Sequence, residues 1–275
     1  MTFAFAAIGV AVIIAWGRVA DLSPDAAFTS GAVGLWLATA HGFSSSLAPG
    51  AGFVAGALVG TTTAIIILAR VPSLLASLVV LGLYYSVNWT VLQRPLQTLS
   101  NDQAAFGQLS SSQQVALMLM WLIPSVVGIR LFSTTTTGLR LRAVAENANS
   151  SPSGRQLSWL ATLTWLALGN GMVGLSGAIF ASKTYIVDIN MGNGTLISGL
   201  SAFLLGWAFL RFRDASATVL VGATLGALAL HAVLALALNA GAPAQFLRAI
   251  TAAALLLCLL VAAREARNVL SGLRL

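Results

Sequence analysis

The chain has 275 residues, 58% of them hydrophobic and 8% charged, with a mean hydropathy of +0.90. Soluble globular proteins carry roughly a quarter charged residues, so this composition excludes a soluble enzyme, and the net charge of +7 does not indicate a nucleic-acid binder. One cysteine, Cys258, and two widely separated histidines, His41 and His231, provide neither a disulfide nor a metal cluster.

In chain order, apolar stretches long enough to cross a hydrocarbon core of ~30 Å fall at about 2–17, 26–42, 50–69, 72–93, 114–132, 157–182, 196–210, 216–238 and 246–263. They predict an all-α integral membrane protein of about nine transmembrane helices in a single domain over 1–275. The first stretch has no basic segment before it and reads as a retained span, not as a cleaved signal. Nine crossings divide the cations unequally. One side receives eleven arginines, and the other only Arg94, Lys183 and Arg248. The positive-inside rule makes the first side cytoplasmic, with the amino terminus outside and the carboxy terminus inside.

Two segments recur. DLSPDAAFTSG at 21–31 is echoed by DINMGNGTLISG at 188–199, and GALVG at 56–60 by GATLG at 222–226, with offsets of 167 between Asp21 and Asp188 and 166 between Gly56 and Gly222. Two matches at nearly one offset indicate duplication. An odd number of spans separates the copies, which makes this an inverted repeat, about 1–93 and 157–263, with a spacer helix and a cytoplasmic segment at about 114–156. DINMGNGT is polar and broken by glycine. Such backbone is tolerated at membrane depth only where protein or a watery cavity surrounds it, so it is expected to line the external mouth of a pathway, with Lys183 ending the preceding span near the outer interface.

GLSGAIFASKT at 174–184 nearly spells two active sites. As a phosphate loop it fails, because Ser182 replaces the glycine before Lys183 and the stretch ends an apolar span instead of following a soluble strand. As a G-x-S-G serine, Ser176 with His231 two spans later resembles the rhomboid intramembrane proteases, whose chemistry needs the two within hydrogen-bond reach. The simpler reading makes Ser176 a small packing residue beside Gly174 and Gly177, and His231 an interior polar residue with a local partner.

Between the fifth and sixth spans lies TTTTGLRLRAVAENANSSPSGRQ, basic, helix-prone over 139–148 and broken at Pro152. Arg142 and Glu146, at i and i+4, share a helical face there. The pattern GLRLRAVAEN, with Gly138, Arg140, Arg142, Ala143, Glu146 and Asn147, resembles the coupling segment of bacterial ABC importer permeases of the branched-chain amino acid and ribose type. RVPSLLASLVVLGLYYSVN, NGMVGLSGAIFA and GAPAQFLRAITAAALLL extend the resemblance over nearly the whole chain, closest to a branch that works with a periplasmic lipoprotein and one ATPase. The chain departs from that pattern in the spacing from Asn147 to Gly154, one residue shorter, and at Trp207, where an acidic residue is expected.

The resemblance implies a transport subunit that is not itself an enzyme and holds no cofactor, ATP and Mg residing on a partner ATPase. It also implies a periplasmic binding protein or lipoprotein, a homodimer and the bacterial inner membrane. Phe28, Trp36, Tyr84, Asn88, Tyr185, Asp188, Asn190 and Asn193 are the candidate pathway residues. They are mostly neutral, which suits a small polar solute such as an amino acid, with aromatic amino acids among the family's substrates. The alternative is an ion-coupled secondary transporter using Asp21, Asp25 or Asp188.

Overall fold

The computed structural model describes residues 2–101, 103–104, 109–146, 152–210, 216–241, 243 and 246–272. Among these described residues ten α-helices follow one another: α1 (Thr2–Val12), continued by a π-helical turn (Ile13–Gly17), α2 (Pro24–Ala40), α3 (Pro49–Leu68), α4 (Ser73–Leu92), α5 (Ser111–Thr134), α6 (Thr136–Glu146), α7 (Pro152–Thr184), α8 (Thr195–Leu210), α9 (Ser216–Asn239) and α10 (Leu247–Gly272). Five contain stretches long and apolar enough to cross a membrane unaided: α3, α4, α5, α7 and α9. Thr2–Gly17, Thr195–Ala208 and Leu247–Leu260 are shorter apolar segments. Around the outside, large apolar side chains are bare, Leu236 at 69% and Leu131 at 62% exposure. Such a surface belongs in hydrocarbon, where exposing leucine carries no penalty. The chain is a multi-pass membrane protein, predominantly helical among the described residues.

Two helices form the centre. α1 is buried along nearly its whole length, and α7 runs antiparallel to it, with Ser176 bonded to the Thr2 carbonyl, Gly169 against Gly9, and Trp165 against Gly17. The approach is possible because the facing residues lack side chains. Gly174 touches the backbone of Gly52 and Gly56, Gly31 meets Gly174, Gly177 meets the Phe28 carbonyl, and Gly60 meets Leu166. This is small-residue packing, which in lipid replaces the hydrophobic drive that assembles soluble helices. On the other side, Gly206 faces Gly222 and Gly226 faces Ala202, which joins α8 to α9. Thus α2 and α3 pack on α7, while α8 and α9 pack on each other and on α1.

A two-stranded ladder was not expected from the sequence. β1 (Leu96–Thr98) pairs antiparallel with β2 (Ile186–Asp188) in the register Leu96↔Asp188, Gln97↔Val187, Thr98↔Ile186. Tyr185, at φ 61°, turns the chain out of α7 into β2. Three residues are too few for an alternation to be read. α7 also begins at Pro152, ahead of the apolar stretch at 157. Proline is tolerated at the first position of a helix, and hydropathy marks only the part of a helix that lies in lipid.

Leucine at position 174 would drive a side chain into the backbones of Gly52 and Gly56. Gly174→Leu is expected to cost at least the ~1–3 kcal/mol of core overpacking and to lower the melting temperature in detergent. Gly82→Ala, where an added Cβ meets nothing within 4 Å, should leave it unchanged or slightly raised.

Candidate functional site

The interruptions before α2 and before α8 meet inside the molecule. Before α2, Asp21 is buried and accepts from the Ser23 backbone N–H at 2.8 Å, the Ser23 hydroxyl at 2.8 Å and the Asn170 amide of α7 at 2.9 Å. One turn further on, the Asp25 carboxylate accepts the N–H groups of Gly194 at 3.1 Å and Leu196 at 2.8 Å, and so caps the start of α8 from the start of α2. The Thr29 hydroxyl takes the Gly192 N–H at 3.1 Å, and Gly192 lies against the Asp25 carbonyl, where a side chain would not fit. Asp188 accepts the N–H two residues ahead, that of Asn190, at 2.8 Å, as Asp21 does with Ser23. The two aspartates matched in the sequence therefore make the same local turn. Asn190 and Asn193 are exposed, while Gly192 and Thr195 are buried.

The remaining candidate pathway residues are dispersed. Phe28 is fully buried in an aromatic cluster with Phe3 at 5.8 Å and Phe180 at 5.8 Å. Tyr84 packs beside that cluster, and its hydroxyl shares a hydrogen bond with Thr62 at 3.0 Å. The buried Asn88 amide donates to the Ser30 hydroxyl at 3.1 Å. Trp36 and Tyr185 pack together in a separate apolar cluster with Leu35, Leu92 and Val187. Of the candidates, Asn193 lines a cavity, one of about 270 Å³ shared with Phe3, Thr195, Ser198 and Arg248. Sequence reasoning passed over Asn170, although a lone asparagine in the middle of an apolar span is itself a signal, since an unpaired amide there is costly. Arg248, which the sequence offered only as one of three cations on the outer side, also lines the cavity at Asn193.

The serine and histidine of the protease reading are engaged elsewhere. Ser176, fully buried, donates to the Thr2 carbonyl at 2.8 Å. His231 Nδ1 stands 2.9 Å from the Ala227 carbonyl, and its ring lies 5.3 Å from that of Phe3. Neither holds the other, and a nucleophile without an adjacent base is not activated.

The polar segment after α5 forms α6, somewhat earlier than 139–148. The Thr135 hydroxyl accepts the Gly138 N–H at 3.1 Å at its start. Gly138 is pressed against the Phe132 carbonyl, and Leu141 is buried. Arg142 is turned inward, its guanidinium 5.3 Å above the Trp16 ring at the end of the π turn. Trp16 meets Trp165 edge-on at 5.2 Å, and Phe132 meets Trp165 at 5.7 Å. Leu139, Arg140 and Ala143 form the exposed stripe. Of Glu146 the structure describes only the backbone, and Asn147 lies outside the described residues.

Residues 1–260 match the family described as the branched-chain amino acid transport system / permease component. The chain belongs to this family. It is similar to a tyrosine transport system permease protein of Clostridioides difficile (strain R20291), 25% identical over 189 residues, which is 68% of this chain and 63% of that protein. It is also similar to an uncharacterised protein of Rickettsia prowazekii (strain Madrid E), 26% identical over 144 residues, half of this chain and 49% of the other. The chain thus spans under two thirds of the length of each relative. No solved structure matches it. As a permease component the chain is a transport subunit, not an enzyme.

In this permease the Asp25 cap carries a direct test. Asp25→Ala leaves two interior N–H groups without their acceptor, at about 1–3 kcal/mol for each unsatisfied group, whereas Asp25→Asn keeps one acceptor oxygen. Alanine should therefore lower thermal stability more than asparagine does, and should speed hydrogen exchange at 192–196. Equal effects of the two substitutions would show that the cap does not hold α8.

Proposed function

We propose that the chain is the membrane-spanning subunit of an ATP-driven importer of the bacterial cytoplasmic membrane, working as a homodimer with two copies of a separate ATPase and a periplasmic binding protein or lipoprotein. Nine crossings place its amino terminus outside and α6 in the cytoplasm, following the unequal distribution of arginine. An inverted repeat underlies it. In support, Asp21 and Asp188 make the same turn, and the interrupted helices α2 and α8 meet end to end through Asp25, as half-helices do in many transporters. The solute is a small polar molecule of amino-acid size. The name of the Clostridioides relative favours an amino acid.

The observation that carries the coupling role is the two-sidedness of α6. Its inner face is fixed by Gly138, Leu141 and the stacking of Arg142 on Trp16. Its outer face presents Leu139, Arg140 and Ala143 to a partner. A force applied to the outer stripe would pass into the end of α1 and into α7. The aspartates needed by an ion-coupled mechanism are each engaged with donors of the chain itself, which favours structural roles for them.

Substitutions on the two faces should separate. Arg140→Glu and Ala143→Glu are expected to reduce recovery of co-expressed ATPase and ATP-dependent uptake several-fold without changing thermal stability. Arg142→Gln should instead lower stability, by about 0.5–2 kcal/mol for the lost cation–π contact. Full ATPase recovery and uptake with both outer-face substitutions would exclude this surface as the dock.

A further inference from the structure

The cavity between the starts of α8 and α10 differs in kind from three others. Those between α5 and α9, between α3 and α5, and between α2 and α3 are walled chiefly by apolar side chains, as furrows between lipid-facing helices are. This one, of about 270 Å³, has the exposed residues Arg248 and Asn193 at its rim and Thr195 and Ser198 in its wall.

Its surroundings are cationic. Besides Arg248, the charges of Lys183 and of the amino terminus both act on His231, whose ring lies 5.3 Å from that of Phe3 in the cavity lining. Against them stand Asp25, close enough to attract Arg248, and Asp188 in the loop before α8. Each of these carboxylates is already engaged, Asp25 by the N–H groups of Gly194 and Leu196 and Asp188 by that of Asn190. The cations outnumber them, so the balance is positive and favours an anion. The helix end adds nothing to it, because Asp25 takes its N–H groups. What remains is Arg248, whose planar fork of donors matches a phosphate.

The neighbouring apolar surface narrows the anion further. α1 and α10 begin at this end of the molecule and α7 finishes there at Lys183, which is the depth at which spans meet lipid headgroups. Leu234 and Leu247 line the cavity, and Ile197 and Phe246 at its edge are 43% and 52% exposed. A ligand that satisfies both the arginine and this apolar edge carries hydrocarbon behind an anionic head. The cavity takes a phosphodiester head but not acyl chains, which must lie outside it.

We propose that this cavity seats the headgroup of an anionic phospholipid, its phosphate on Arg248 and its acyl chains against Ile197 and Phe246. The lipid site is independent of which solute crosses.

The test uses the full chain, delipidated in detergent, with Asn193→Cys as a reporter at the rim in a Cys258→Ser background. Dioleoylphosphatidylglycerol in mixed micelles at about ten times its apparent Kd should slow labelling by a water-soluble maleimide about tenfold. Dioleoylphosphatidylcholine at the same mole fraction, and glycerol phosphate, the head without its chains, should leave the rate unchanged. Arg248→Gln should abolish the protection, whereas Arg94→Gln, outside the cavity lining, should keep all of it. The chain without the reporter gives a second measurement: its melting temperature should be higher with phosphatidylglycerol than with phosphatidylcholine, and Arg248→Gln should remove the difference. Equal behaviour in the two lipids, or survival of both effects in Arg248→Gln, overturns the proposal. Protection by glycerol phosphate as strong as by the lipid assigns the cavity to a soluble anion and overturns it as well. Equal loss in Arg94→Gln and Arg248→Gln reveals adsorption by general surface charge, which also overturns it.

Discussion

The carboxylate of Asp25, accepting the Gly194 and Leu196 N–H groups, is the interaction on which the interior arrangement turns. A helix that begins inside a membrane protein exposes N–H groups that lipid cannot satisfy. Here they are met by a side chain from the first turn of another helix that itself begins inside. One residue thereby completes the start of α8 and fixes where α2 begins relative to it. The Thr29 bond to Gly192 and the Asp21 bond to Asn170 hold the two sides of the same junction. Because the junction is closed by side chains, the loop before α8 can keep Asn190 and Asn193 exposed without losing its register.

Around that junction the packing is set by what is absent. Gly31, Gly52 and Gly56 meet α7 at Gly174 and its neighbours, where any side chain would separate the backbones. Dispersion contact and backbone approach do the work that apolar burial does in water. This explains why Ser176 lies in a stretch that resembles an active site. A small residue is needed at the close contact with α1, and a serine hydroxyl that bonds the Thr2 carbonyl fills that position without chemistry.

The same physics decides what was legible in the sequence. Helical stretches stood out because lipid demands long apolar runs, and α6 stood out because a polar, arginine-rich helix among apolar ones cannot lie in the bilayer. Which way each helix faces was not legible. In a membrane the lipid-facing side and the buried side are both apolar, so the fully buried Phe28 and the exposed Leu236 carry no contrasting signature. Pairs distant in sequence, such as Asp21 with Asn170, or Leu96 with Asp188, depend on the assembled fold. Helical spacing relates Arg142 to Glu146, yet it does not reveal that Arg142 has an aromatic ring of its own chain to rest on.

Those aromatic contacts tie α6 to the interior. Arg142 lies over Trp16, and Trp16 meets Trp165. Five residues beyond Trp16 stands Asp21, and five beyond Trp165 stands Asn170, the pair bonded to each other at 2.9 Å. Two short stretches of chain therefore leave the same aromatic contact and rejoin at the same hydrogen bond, one through the π turn and Arg18 at φ 52°, the other as regular helix. A displacement of α6 would be carried unchanged along the regular stretch. The π turn and the left-handed residue interrupt the helical ladder and give the first stretch a place to bend. Movement would then be taken up at that bend, ahead of the Asp21 bond to Asn170.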